Sequence, residues 1–336
     1  MEKQNNVELG LTSSEISVLW TDYLNNTTTV CGLKHFLTNI KDENIKELLE
    51  ETLHMTEQHV EKLKELFTRS NFPIPQGFTD QDINLDAPRL FSDELYLEYI
   101  LNMTILDLEI YSMSISVVGN KEVNDYFSDN LKAAKELHLR AKEMAKAAGI
   151  YIPSPRIPKP TQISFVHKTS FLAGWFTDRR PLIAAEITNL TFNAKRNAIG
   201  QAVITGFSQV AKSKEVRRFF ERGKEISGKH FEIFTSILNE ENLADGARLM
   251  TAEVTDSTTS PFSDKLMMAL VTTLISSGIA QYGTSMAVSP RRDLGVHYSR
   301  LMAEIANYSN DGAKIMIDNA WMEQPPMAAD RKVLAK

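Results

Sequence analysis

The feature that most constrains this chain is a self-similarity at one constant offset of 171 residues. Glu15-Ile16 returns as Glu186-Ile187, Asn26 as Asn197, Phe36 as Phe207, His59 as His230 and Glu61 as Glu232. Phe91-Ser92-Asp93 returns as Phe262-Ser263-Asp264, Tyr111, Ser114 and Val117 as Tyr282, Ser285 and Val288, and Pro155 as Pro326. One offset spanning the chain without a gap means a single fold used twice, and a fixed period has to be identified before any element is assigned. The boundaries that follow are a first unit at 1–150, a Pro-rich linker at 151–181 and a second unit at 182–336. Pro153, Pro155, Pro158 and Pro160 stiffen the linker and stop a helix. Its apolar end, Phe171-Leu172-Ala173-Gly174-Trp175-Phe176, reads as docked on a domain; Trp175 and Trp321 are equally suited to a core or an interface.

Each copy reads as four helices. Thr12 and Glu15 form a capping box, with Leu11 and Ile16 as its hydrophobic staple. A stripe at helical spacing follows through Trp20, Tyr23, Thr27, Val30 and Leu37. Asp42 and its counterpart Ser213 cap the second helix, whose inner face carries Ile45, Leu49, Thr52, Thr56, His59, Leu63 and Leu66. Residues 71–89 are irregular, Ser92 and Ser263 cap the third helix, Gly119-Asn120 breaks it, and a fourth helix from Val123 to Ala148 ends at Gly149. Two short turns flanking one long crossover give a ferritin-like order rather than up-down-up-down. The expected fold is therefore all-α, two tandem ferritin-like four-helix bundles with the long crossover between helices two and three of each.

Composition excludes several classes. With 43% hydrophobic and 24% charged residues the chain has the balance of a soluble globular protein. A net charge of −6 argues against nucleic acid, and no uninterrupted apolar run approaches the roughly 18 residues that span a bilayer. The N-terminus carries no signal-peptide stretch, so the expected location is cytoplasmic. Cys31 is the sole cysteine and is matched by Ala202, which suits packing rather than a disulfide, a Cys-based zinc site or a nucleophile.

Ferritin-like bundles hold metal pairs with carboxylates and Glu-x-x-His strings. The one such string, Glu51-Thr52-Leu53-His54, falls on the polar face with Glu47, Glu50 and Glu57, and the second copy has Arg222 and Glu225 instead. His59 and His230 lie on the apolar stripe, where a histidine needs a partner and can serve as a ligand. Helix levels place Tyr23 and Glu109 beside His59; the second copy has Ala194 and Ala280 there, and His138 is about two turns away, roughly 11 Å. A satisfied core histidine is the preferred reading, with His59, Glu109 and His230 as the candidate metal residues and iron or manganese as the candidate ion. No catalytic or cofactor-binding residue is assigned: Gly-rich phosphate loops and nucleophile motifs are absent. Glu15 and Glu186 read as helix caps. The pairs Arg179-Arg180, Arg217-Arg218 and Arg291-Arg292 read as ordinary surface charge. The small residues of the seventh helix, from Thr272 to Ala287, read as tight packing inside their own bundle or, alternatively, as a contact with another bundle or subunit.

Several strings carry a specific likeness: Leu11-Thr12-Ser13-Ser14-Glu15-Ile16, Phe72-Pro73-Ile74-Pro75, Ala87-Pro88-Arg89-Leu90-Phe91-Ser92-Asp93, Ser208-Gln209-Val210-Ala211-Lys212-Ser213 and Trp321-Met322-Glu323-Gln324-Pro325-Pro326. Over nearly its whole length the chain resembles the two-repeat bacterial proteins grouped as domain of unknown function 3231. That resemblance implies a ferritin-like bundle per repeat, occurrence in spore-forming bacteria and an association with spore-coat-like proteins. It implies no reaction and supplies no catalytic residue. The expectation is a non-enzymatic structural or interaction protein, related to sporulation or the spore coat, with a protein partner or a second copy as its contact; a metal- or small-ligand-binding bundle is the alternative.

Overall fold

The computed structural model describes residues 10–174, 179–243 and 247–335, and these are all-helical. The first repeat contains α1 (Ser13–Asn39), α2 (Glu43–Arg69), α3 (Asp93–Val117) and α4 (Lys121–Ala147). The second contains α5 (Ala184–Val210), α6 (Lys214–Glu240), α7 (Asp264–Ala287) and α8 (Arg292–Asp318), followed by the single turn α9 (Arg331–Leu334). Among the described residues the only β pairing is two isolated bridges. The long helices pack as the pairs α1–α2, α3–α4, α5–α6 and α7–α8, with α1 against α3, α2 against α4, α5 against α7 and α6 against α8.

Local chemistry sets the helix ends. Thr12 and Glu15 make the reciprocal capping box, the Glu15 carboxylate accepting the Thr12 N–H at 2.8 Å. Asp42, Ser92, Ser213 and Ser263 cap their helices by accepting N–H groups of the first turn. Asn120 caps α4, which therefore starts two residues before Val123. Gly149, at φ +71°, supplies the left-handed residue that closes α4.

Residues repeated at the offset are those that tie elements together. Glu15 also accepts the Asn120 N–H at 2.7 Å, and Glu186 accepts the Arg291 N–H at 3.1 Å, so each copy joins the start of its first helix to the start of its fourth. Asp93 accepts the N–H groups of Lys41 and Asp42, and Asp264 those of Lys212 and Ser213, which pins the first turn onto the third helix.

The crossovers of the two repeats meet each other. Ile83 bridges Phe262, and Phe91 bridges Val254. The Ser92 N–H donates to the Glu253 carbonyl at 2.8 Å, and the Ser263 N–H to the Asp82 carbonyl at 2.7 Å. Asn84 donates to Pro261 at 2.8 Å, and Thr255 to Leu90 at 2.9 Å. Adding the offset converts each member of these pairs into the other, so the repeats face one another across a local pseudo-two-fold axis. This is the isologous geometry of a symmetric dimer, contained in one chain. The helix contacts obey it as well: α1 meets α7, and α3 meets α5. The small-residue helix α7 thus lies against the other repeat.

The apolar core follows that axis rather than the chain order. One buried cluster runs from Leu33 and Phe36 through Leu90 and Phe91 to Phe207, Phe262 and Met316. A second, with Leu19, Leu63, Phe67, Tyr111 and Phe127, fills the far end of the first repeat. By length and composition alone α3 and α7 could each cross a membrane; a third of the most apolar stretch of each is buried here. The linker's apolar end is docked: the Arg180 guanidinium lies 4.2 Å over the Phe171 ring and donates to the Phe171 carbonyl, and Gly174 rests against the start of α8 at Asp293. Trp175 lies outside the described residues. Trp321 is half-buried and packs on the core.

Candidate functional site

The first repeat buries a polar centre between its four helices. Asp22 and Asn26 come from α1, His59 from α2, Asp107 and Tyr111 from α3, Tyr126 and Asn130 from α4. The i, i+4 and heptad spacing that builds the apolar stripes also turns these residues inward. Asp22 is 3% exposed and accepts the Tyr126 hydroxyl at 2.7 Å. Burial pushes its carboxyl up to about 7, against the opposing effect of that hydrogen bond. Asp107 lines the same cavity; burial, and then the neighbouring Asp22, push it up to about 8. Burial lowers His59 to about 4, so its ring is neutral. Its Nδ1 lies 3.3 Å from Asn26 Oδ1. Asn26 spends its amide N–H on the Asp22 carbonyl at 2.8 Å, so its Oδ1 is the acceptor and His59 Nδ1 carries the proton. The cavity among these groups is about 20 Å³, space for about one water molecule.

His230 occupies the corresponding place in the second repeat with different partners. It is fully buried, its Nδ1 lies 3.0 Å from the Tyr282 hydroxyl, and its Nε2 lies 3.2 Å from Glu304. Burial lowers its pKa, opposed by the Glu304 carboxylate. Tyr282 also accepts from Asn197 at 2.8 Å. Asn193 stands where the first repeat has Asp22 and donates to Ser285 at 2.8 Å; Gly278 stands where it has Asp107. The pair of buried Asp22 and half-buried Asp107 has no counterpart in the second repeat.

His59 and Glu109 are not brought together, for Glu109 is exposed on α3 while Asp107, two residues earlier, faces the histidine. The centre does not offer a fitting donor set for iron or manganese. Asp22 is held by Tyr126 and His59 by Asn26, and no three His, Cys, Asp or Glu groups among the described residues converge on one point. Glu51 and His54 lie on the exposed face, paired with Arg140 and Gln58. His138 bonds Thr104 at 2.9 Å, away from His59. Cys31 is buried and its thiol is pushed up to about 12 by burial. Arg291 corrects the reading of surface charge: it is 1% exposed and bonds Asp293 and Glu241. The missed residues had a usable signal: Asp107 is the one charge on a face that buries Ile100, Thr104 and Tyr111, and Asp22 stands between buried Leu19 and Tyr23.

The raised carboxylates have a consequence for stability. Asp22 and Asp107 bind protons more tightly folded than unfolded, so their contribution is complete below about pH 4 and is lost as pH rises through about 7 to 8. His59 acts in the opposite sense, its contribution being lost as pH falls from about 6.5 toward about 4. Above pH 6.5 the two carboxylates, not the histidine, set this centre's share of the slope. Asp22→Asn, which installs the residue of the second repeat, is expected to raise stability more at pH 8.5 than at pH 5.5, the difference being about 2 kcal/mol, because the wild-type carboxyl passes its folded value of about 7 between them. Urea unfolding at the two values checks it; equal effects at both would refute the buried-carboxylate account.

No curated protein is significantly similar to the chain. A crystal structure of a candidate spore coat protein from Bacillus halodurans C-125 is 22% identical, matching 45% of this chain and 98% of that one, with a TM-score of 0.41. The model of a family described as a protein of unknown function, DUF3231, matches residues 1–163 and again 170–334, and the chain belongs to that family.

Proposed function

We propose that the chain is a non-enzymatic helical scaffold: two ferritin-like four-helix bundles fused into an intramolecular dimer, working through protein contacts rather than through nucleic acid or membrane. The observation that supports this reading is how the buried polar centres are used. In the first repeat Asp22, Asn26, His59 and Tyr126 bond one another around space for about one water molecule. In the second, His230, Tyr282, Asn197 and Glu304 do the same. A reaction centre needs a cavity for its substrate and groups left open to it; these groups are engaged in holding helices together. The bundle assignment is supported by short turns after α1 and α3 and a long crossover between α2 and α3, repeated after α5, α7 and α6. The spore is the setting that the family resemblance implies.

Elemental analysis of the purified full chain tests the scaffold reading. The expected result is less than about 0.1 equivalent of iron or manganese after loading, the level of adventitious binding at a site without three converging ligands. A stoichiometric ion that is lost in both His59→Ala and Asp107→Asn would replace the scaffold with a metal-binding bundle. Spores from a deletion strain test the setting: coat permeability or resistance should differ from the parent, and identical spores would remove the sporulation role.

A further inference from the structure

We infer that the cleft between the repeats beside residues 150–154 binds a small organic anion with an apolar body. The cleft measures about 340 Å³ and is walled by α3, α4, α5 and the start of the linker. That volume is in the range of small-molecule sites. Its apolar wall includes Leu101, Ile105, Ile150, Phe192 and Ile199. Four cations, Lys142, Lys195, Arg196 and Arg248, face it with Glu98 as the one carboxylate of the lining.

Two of the lining groups are polar, buried and without a partner. Arg196 gives one arm of its guanidinium to Ser277, while Nη1 is buried and bonds nothing. Thr191 is 1% exposed and its hydroxyl bonds nothing. Leaving buried polar groups unpaired costs about 1–3 kcal/mol each; an anion in the cleft meets both residues in its lining. Lys142 and Lys195 each lie 5.3 Å from the centre of the Tyr151 ring, which places two ammonium groups at the mouth. Burial lowers the pKa of both Lys195 and Arg196, and a bound anion would offset that.

The pseudo-dyad supplies an internal comparison. At the related positions of the opposite cleft the four cations become Ala313, Leu24, Asn25 and Gly77, and Thr191 becomes Trp20. An anion of the chain itself sits there: the Glu323 carboxylate accepts the Gln76 and Gly77 N–H groups, each at 2.8 Å. The residue related to Glu323 is Ile152, which brings no charge, and the backbone related to Gln76-Gly77 is Ala247-Arg248, which lines the cationic cleft. One cleft is closed by its own carboxylate; the other has gathered four cations, of which Arg248 pairs with Glu94, against the single lining carboxylate Glu98.

Isothermal titration of the full chain with decanoate, decanol and inorganic phosphate tests the inference, independently of the scaffold reading. Decanoate is expected to bind one site per chain, with decanol and phosphate each weaker by about tenfold or more, the loss of one charge-assisted bond or of the apolar contact. Arg196→Met should weaken decanoate by about tenfold or more, because a buried charge-assisted donor is lost. Its thermal midpoint should not fall, since the substitution also removes an unpaired buried donor. Asn25→Met, at the related position of the opposite cleft, should leave binding unchanged, and Lys142→Met serves if Arg196→Met does not fold. Absence of saturable decanoate binding by about 1 mM, which is −4 kcal/mol, overturns the inference. So does decanol or phosphate binding as tightly as decanoate, or equal losses in Arg196→Met and Asn25→Met.

Discussion

Arg291→Met is expected to destabilise the chain by about 3–5 kcal/mol at neutral pH, the range measured when one partner of a buried ion pair is deleted. Among the described residues Arg291 is the largest side chain that is wholly buried, at 1% exposed. Its guanidinium donates to both oxygens of Asp293, at 3.1 and 2.6 Å, and to Glu241 at 2.9 Å. Its backbone N–H donates to Glu186, which Arg180 also holds through two bonds at 2.7 and 2.8 Å. Methionine keeps the length and the apolar stem but removes five donors. Asp293, 3% exposed, is then left with Arg179 at 3.8 Å as its remaining cation. The sign of the pH effect follows. Burial opposes the Asp293 charge, but Arg291 more than compensates, so its carboxyl is held below the usual range. Its contribution is present above the unfolded carboxylate pKa of about 4 and fades as pH falls through the lower folded value. The gap between wild type and Arg291→Met should therefore narrow as the mutant's Asp293 takes up a proton. Denaturant unfolding at pH 7 and pH 4 measures it; a pH-independent gap would mean that packing, not charge, was lost.

The helices were legible because their signals are local. Thr12-Glu15, Asp42, Ser92, Ser213 and Ser263 all cap where their side-chain chemistry places them. The repeat was legible because one offset survives the whole chain. What the repeat meant physically was not. Glu15 reads as a cap from sequence, yet the same carboxylate fastens the start of α4, a contact over 105 residues. Phe91-Ser92-Asp93 reads as a cap and a staple, yet Phe91 bridges Val254 across the dyad and Asp93 secures the first turn. The polar centre was half legible. His59 was found because it stands out on an apolar stripe. Its neighbour was misplaced by two residues on α3, since level estimates fix the height along a helix but not the rotation that separates exposed Glu109 from inward Asp107. The cleft beside 150–154 was invisible, because its cations sit on α4, α5 and the second crossover and meet only when the repeats pair.

The pairing of repeats makes its own demand. Phe91→Ala is expected to destabilise the chain by about 3–5 kcal/mol, as large aromatic deletions in cores do. Phe91 is 3% exposed, packs on Phe207 at 6.1 Å and lies directly over Gly206 of α5. A Cβ on Gly206 would stand 2.5 Å from the Phe91 ring, inside any real contact distance. Gly206→Ala alone is thus expected to lose about 1–3 kcal/mol to overpacking, despite replacing a glycine in the middle of a helix. In the Phe91→Ala background the ring is gone and the nearest remaining atom is Leu90 Cγ at 3.3 Å, which a shift of a few tenths of an ångström relieves. There it should regain about 1 kcal/mol, the helix preference of alanine over glycine, together with part of the lost contact. The sign of the Gly206→Ala effect therefore inverts between the two backgrounds, and a double-mutant cycle by denaturant unfolding reads that inversion directly. The related pair behaves otherwise: His35 stands where Gly206 does and meets Phe262 edge-on at 5.3 Å, so the two sides of the dyad are close-packed by different means. Phe262→Ala strips an aromatic contact that no small residue can refill, and His35→Ala in that background should not restore stability. Additive losses for Phe91→Ala and Gly206→Ala would place the two repeats further apart at the crossover than the bridges between them require.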